Sequence, residues 1–258
     1  MWLRLRQIAL VANKLEPIVD DFREVLGLEV CFRDPGVGHF GLENALFPVG
    51  NQFLEVVAPI RENTAGGRYL DRRSGDGGYM VITQCDDHTP RRARVDALGV
   101  RLAHSFDKPG VFRNMQMHPK DTGGSFFEID EQQGPGAHDV DGPWDPAGGA
   151  GWKSGQRLDV VSGIAVAEIQ ADDPGAVARR WSEIAETALT TDIAGNALLP
   201  LDGAAVRFVT ATDGRGEGLG GIDVTVRDRP RLLAAARARG AYRSDTQVYL
   251  CGMRINLV

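Results

Sequence analysis

The sequence predicts an α+β fold of tandem β-α-β-β-β modules forming curved mixed sheets. Three observations carry this. A strand-like run at 4–11 (RLRQIALV) leads into a segment, 14–26, whose Leu15, Ile18, Val19, Phe22, Val25 and Leu26 recur at helical spacing, with Gly27 as a stop. Three strand-like runs follow at 28–33, 39–49 and 52–59, divided by turn residues at Asp34-Pro35-Gly36 and Gly50-Asn51. The same order then returns: a strand at 78–85, a helix at 89–99, and strands at 100–106, 111–119 and 124–131.

The repeat can be tested by position. Gln7 lies in the first strand of the first module, and aligning QIAL with YMVI puts Tyr79 at the same place in the second. Glu55 in the last strand (FLEVV) aligns with Glu128 (FFEID). The two pairs are separated by 48 and 49 residues. A fixed period of this kind says more than any single motif.

A third module is expected from strand 160–170, helix 173–186 and strands near 188–192, 195–200 and 204–211. A fourth, shorter one runs from 220–228 through helix 229–240 and strand 246–252 to the closing MRINLV. Residues 134–157 are rich in Gly, Pro and Asp and read as a linker, with Trp144 and Trp152 expected to pack onto a flanking domain. The organisation is therefore an N-terminal domain at 1–133 with two modules, a linker at 134–157, and a C-terminal domain at 158–258. In the third and fourth modules Gly163 and Gly221 align with Gln7, and Arg207-Phe208-Val209 stands in line with Leu54-Glu55-Val56, so the second half is expected to lack the polar set.

Composition excludes several classes. The chain has 258 residues, 43% apolar and 25% charged, with a net charge of −6. The densest basic patch, Arg91-Arg92-Ala93-Arg94, reads as a helix face, and no nucleic-acid footprint is present. No run reaches the roughly 18 apolar residues of a membrane span. No signal peptide pattern opens the chain, and Cys31, Cys85 and Cys251 form no CxxC pair, which points to free thiols and a cytoplasmic location. The expected partner is a small molecule, and the chain is expected to be a monomer or a homodimer.

The chemistry centres on Glu128, a lone carboxylate between Phe126, Phe127 and Ile129. Burying it requires a partner. Each glutamate could be a half-exposed strand residue, but a symmetric pair flanked by apolar residues fits a shared concave site. Such a pair can hold a metal or move protons at a carbon next to a carbonyl. Gln7 could equally face solvent, and Tyr79 could be a core tyrosine. His118, ahead of Pro119 and Gly123-Gly124, either orders a hairpin or lines the pocket. His39, beside the Glu55 strand, could reach inwards. His88, His104 and His138 read as structural or exposed.

The repeated modules, with a polar residue in the first strand and a glutamate in the fourth, resemble the vicinal oxygen chelate superfamily of glyoxalases, epimerases, extradiol dioxygenases and bleomycin-binding proteins. HPKDTGGSFFEI (118–129) is similar to a stretch of methylmalonyl-CoA epimerases. The resemblance implies half-barrels of paired modules with a divalent ion inside: Zn, Ni, Co, Mn, Mg or Fe. It places Gln7, Glu55 and Glu128 as ligands and Glu55 and Glu128 as the groups that move a proton; from their places in the sequence Tyr79, His118 and His39 are expected near substrate. Tyr79 stands where relatives usually carry histidine. The resemblance thus implies a metal-dependent lyase or isomerase acting on a small oxygenated carbonyl or hydroxy-acid substrate. The other reading is a metal-free binding protein using the same cavity. A dioxygenase would need two histidines and a carboxylate, which this set lacks.

Overall fold

The computed structural model describes residues 1–258. Its first half contains β1 (Leu3–Val11), α1 (Leu15–Leu26), β2 (Leu42–Val49), β3 (Gln52–Pro59), α2 (Ala65–Arg73), β4 (Gly77–Cys85), α3 (His88–Ala97), β5 (Leu102–Lys108), β6 (Phe112–Met117), the single turn α4 (Pro119–Thr122) and β7 (Phe126–Gln132). These strands form one sheet in the order β2-β3-β1-β4-β7-β6-β5. The two modules join where β1 and β4 pair antiparallel, each flanked by its own fourth strand in parallel, β3 and β7.

The second half repeats this with β8 (Val161–Ala171), α5 (Pro174–Ala185), β9 (Thr190–Thr191), β10 (Ala197–Leu201), β11 (Ala204–Thr210), β12 (Gly218–Val226), α6 (Arg229–Ala238), β13 (Tyr242–Ser244), β14 (Gln247–Leu250) and β15 (Met253–Leu257). Its order is β13-β14-β15-β12-β8-β11-β10-β9, centred on the antiparallel β8–β12 pair. The fourth module keeps all five elements. Its shortness lies in three strands of three, four and five residues.

One 53-residue apolar core joins the halves. Leu5, Ile8 and Leu10 of β1 face it, together with Val19, Phe22 and Val25 of α1 and Ile164, Ala167 and Ile169 of β8. Helix α1 packs on α6, and α3 on α5. Phe127 stacks on Trp181 with ring centres 4.2 Å apart, and the indole of Trp181 donates to the Thr122 carbonyl. The helix-bearing faces of the two sheets therefore share a core, which leaves each sheet an opposite, concave face, here called a cup. No helix is long and apolar enough to cross a membrane. The three cysteines are free thiols, Cys85 and Cys251 buried and Cys31 half-buried.

Two features depart from the sequence reading. The strand expected at 28–33 does not form: only Phe32 bridges to Leu46, and a 3-10 turn at Pro35–Phe40 follows. The turn at Ala150–Gly155 packs Gly155 against the backbone and Cβ of Cys31. Helix α2 was not anticipated. Its start is fixed by Thr64, whose hydroxyl accepts from the Gly67 amide at 2.9 Å.

Candidate functional site in the N-terminal cup

Strand alternation sends Gln7, Ala9 and Val11 of β1 and Phe53, Glu55 and Val57 of β3 to the cup. The matching residues on the other module are Met80, Ile82 and Gln84 of β4 and Phe126, Glu128 and Asp130 of β7. Register decides the equivalences. Gln7 pairs with Phe53, two residues before Glu55; Met80 pairs with Phe126, two residues before Glu128. The counterpart of Gln7 is therefore Met80. The shift of one residue has a cause: opposite Ala9 and Leu10 the β4 strand presents Met80 and Gly78, so Tyr79 is extruded as a bulge.

The cup has two apolar ends and a polar middle. At one end Tyr79 packs edge-on against Tyr69 of α2 and against Phe126, centroids 4.8 and 5.0 Å away. The Tyr69 hydroxyl is bound to the Gly78 carbonyl at 2.9 Å. At the other end Trp144 and Trp152, both fully buried, pack with Phe53, Ile82 and Phe112. The segment expected to be a linker thus enters the N-terminal cup. It is held there by many bonds: Arg6 to the carbonyls of Val140 and Gly142 at 2.7 and 2.8 Å, Gln84 to Ala137 at 2.7 Å, and the Asp145 amide to Gln132 at 2.7 Å.

Between these ends sit the carboxylates. Glu55 accepts from Asn44 Nδ2 at 2.6 Å and from Gln7 Nε2 at 2.8 Å. Burial pushes its carboxyl up to about 7, with the Asn44 bond opposing and the charge of Glu128 adding to the shift. Glu128 accepts from Gln116 Nε2 at 2.9 Å, and the same nitrogen lies 3.1 Å from Met80 Sδ. Asp130 is one strand period further along. Burial, followed by the charge of Glu128, holds it protonated well above the usual carboxylate range, and Asn114 donates to its Oδ1 at 3.0 Å. Burial also raises Glu128, against the hydrogen bond from Gln116. Asp130, Asn114, Gln116 and Asn44 were not singled out from the sequence. The i, i+2 spacing of Glu128 and Asp130 was a signal that could have found the first of them.

The structure brings together Gln7, Glu55, Glu128 and Tyr79. It does not bring the two histidines to them. His118 caps α4, its Nδ1 accepting from the Lys120 amide at 3.2 Å. His39 is exposed in the Pro35–Phe40 turn, where it packs edge-on to Phe40; Phe40 in turn meets His104 of β5, so the rims of the cup touch.

The donor set can be tested against a divalent ion. Trp144 Nε1 donates to Gln7 Oε1 at 2.8 Å. An indole N–H can only donate, so the amide oxygen faces Trp144 and its NH₂ faces Glu55. A cation beside Glu55 would meet an N–H. The fourth position offers the soft thioether of Met80 rather than an imidazole or oxygen, and no three His, Cys, Asp or Glu side chains are grouped as ligands. As arranged, these residues do not fit a hard divalent ion.

A tandem β-α-β-β-β chain with paired glutamates in its cup defines a class of protein, the vicinal oxygen chelate superfamily. More closely, residues 8–185 match the model of the Glyoxalase-like domain, and the chain belongs to that family. Among solved structures it is similar to methylmalonyl-CoA epimerase from Mycobacterium tuberculosis (23% identity, 51% of this chain and 89% of that one, TM-score 0.45). It is similar also to a variant of the Streptomyces coelicolor epimerase in complex with 2-nitronate-propionyl-CoA (22% identity, 52% and 100%, TM-score 0.46). A hypothetical protein from Staphylococcus aureus matches over both halves (11% identity, 99% of each chain, TM-score 0.65), which shows the fold alone. No curated protein matches the chain.

Proposed function

We propose that the N-terminal cup is an isomerase-type site that moves a proton on a small oxygenated substrate and works through its carboxylates without a bound metal. The observation that supports this reading is the pairing of Glu55 and Glu128 at equivalent positions, each oriented by amide donors, on one concave floor. Glu55 is 9% exposed and Glu128 7%, and the half-buried Met80, Gln116 and Phe126 lie beside them. Substrate would enter on that side.

The step would be proton abstraction next to a carbonyl. Glu55 takes the proton from carbon, the C–H electron pair moves onto the carbonyl oxygen as an enolate, and the Gln116 amide is the nearby donor to that oxygen. Return of a proton from Glu55 to the same face gives exchange. Delivery of a proton by the Glu128–Asp130 pair to the opposite face gives the epimer; Glu55 then releases its proton to solvent and the pair regains one from it. A carboxyl whose pKa lies near neutrality is suited to both roles.

The test is wash-in of solvent deuterium, followed by proton NMR, into 2-oxo acids, 2-hydroxy acids and malonyl-type thioesters. Exchange that vanishes in Glu55→Gln and Glu128→Gln supports the proposal. Exchange that persists in both variants would sink it. Elemental mass spectrometry of the untagged protein checks the metal-free part, and a stoichiometric divalent ion lost in the double variant would overturn it. The second reading, a binding protein for an apolar or aromatic ligand, draws support from the Tyr69–Tyr79–Phe126 cluster at one end of the cup. Saturable ligand binding with no exchange in any substrate would favour it.

A further inference from the structure

A cleft of about 280 Å³ lies away from the carboxylate floor, where β1, the segment after β7 and the second half meet. Arg4, Asn51, Ser162, Asp202 and Thr225 line it. The join around it is tight. Gln52 bonds reciprocally with Ile164, its Nε2 donating to the carbonyl at 2.8 Å and its Oε1 accepting from the amide at 2.7 Å. Gly50, in the left-handed region at φ 66°, brings its Cα against the Ser162 carbonyl, where a Cβ would collide.

Charge at this join is unbalanced. The Arg4 side chain is 8% exposed, yet its bonds go to two neutral carbonyls, Asp139 at 3.1 Å and His138 at 3.3 Å. Its one carboxylate partner, Asp202, is 3.5 Å away and 56% exposed. Arg6, behind it and fully buried, bonds only to carbonyls, those of Asn51, Val140 and Gly142. Burial, with the charge of Arg4 adding to it, lowers its pKa to about 10. The acid nearest in charge to Arg6, Asp141, is exposed and taken by Lys153 at 3.0 Å. A further cation, Arg227, reaches the rim and donates to the Ser162 hydroxyl at 3.2 Å. Buried guanidinium groups call for an anion, and the protein supplies one loosely held carboxylate.

We propose that this cleft binds a small oxyanion, of the carboxylate or phosphate class, between Arg4 of the first half and Ser162 and Thr225 of the second. Asp202 occupies the approach as a weak internal competitor. The size suits a ligand of a few heavy atoms, below that of ordinary drug-sized pockets. Because the ligand would touch both halves, binding would also strengthen their docking.

The experiment uses the full chain at constant ionic strength set with sodium chloride. Inorganic phosphate and malonate are titrated separately by calorimetry, and the tighter of the two assigns the class. Saturable one-to-one binding of either is expected. Asp202→Asn removes the competing carboxylate from an exposed position and is expected to tighten binding by about three- to tenfold. Ser162→Ala is expected to weaken it by a similar factor, and Arg4→Gln to abolish it. Since Arg4 also staples the segment after β7, the Asp202 and Ser162 variants keep the test valid if Arg4→Gln fails to fold. No heat beyond that of chloride, or affinity unchanged in both Asp202→Asn and Ser162→Ala, would overturn the proposal. The cleft lies apart from Glu55 and Glu128, so loss of proton transfer in their variants leaves it untouched.

Discussion

The two cups of this chain start from the same topology and solve the problem of polar residues on a concave sheet in opposite ways. In the N-terminal cup the polar set is mostly neutral amides around a few carboxyls, and two tryptophans from residues 134–157 cover it. In the C-terminal cup the equivalent face is a charged lattice. Arg207 stands where Glu55 stands in the first half. It pairs with Glu168 at 2.8 Å and with Asp223 at 2.7 Å, while Arg254 pairs with Glu168 at 2.7 Å and with Gln170 at 2.9 Å. Asn256, opposite Asp223, donates to it at 2.8 Å. The expectation that the second half loses its polar positions is thus corrected: the polarity is retained but the charges now cancel. Glu168 and Asp223 there are each ion-paired with a guanidinium. In the first cup the carboxylates face amides that orient them without neutralising them. A cup becomes a candidate site when its acids are oriented but not paired with cations.

The sharpest way to break the comparison is to uncover the first cup. Trp144→Ala removes a fully buried indole and strands the Gln7 oxygen, with an expected loss of about 3–5 kcal/mol in urea unfolding. Trp144→Phe keeps most of the packing and should recover the larger part. Equal losses in the two variants would show that the Gln7 bond dominates over the filled volume.

A second prediction concerns pH. A carboxyl raised to about 7 in the fold, from its ordinary value of 4.5, binds its proton more tightly when folded. Its contribution is fully present below pH 4.5 and is lost as pH rises through 7. The loss is about 3 kcal/mol across that window. Comparing urea unfolding at pH 5 and pH 8, Glu55→Gln should flatten this slope relative to the parent chain. An unchanged slope would assign the pH dependence to other groups.

The third and smallest effect lies in the second cup. Arg207→Met leaves Glu168 still paired with Arg254 and Asp223 still bonded to Asn256. It is expected to cost about 2 kcal/mol, less than removal of one partner from a fully buried ion pair. High salt should leave the parent's second cup largely unaffected, because the lattice is mostly shielded from solvent. A loss near zero would mean the lattice carries no stability.

Much of this was legible in the chain. The helical spacing of Leu15 to Leu26 and the recurrence of Glu55 in Glu128 are local and periodic, and both give the modules and the floor of the cup directly. Trp144 and Trp152 were visible as large apolar residues in a Gly- and Pro-rich stretch, but not the cup they fill. The strand expected at 28–33 is reduced to a single bridge between Phe32 and Leu46, and the turn at Ala150–Gly155, more than a hundred residues later, packs on the segment at Cys31.

By itself the sequence determined the number and order of modules, because amphipathic period and turn residues act within a few positions of each other. It also determined which two glutamates share a floor, since their spacing repeats. Only the tertiary structure decided that Met80 rather than Tyr79 answers Gln7, because a one-residue bulge in β4 shifts the strand register there. Only the tertiary structure decided which end of the Gln7 amide faces Glu55, because Trp144 arrives from 137 residues away and its indole N–H, which only donates, takes the one acceptor of the amide, its oxygen. Charges that cancel in one half and stand apart in the other follow from strands brought side by side, and no local pattern encodes that.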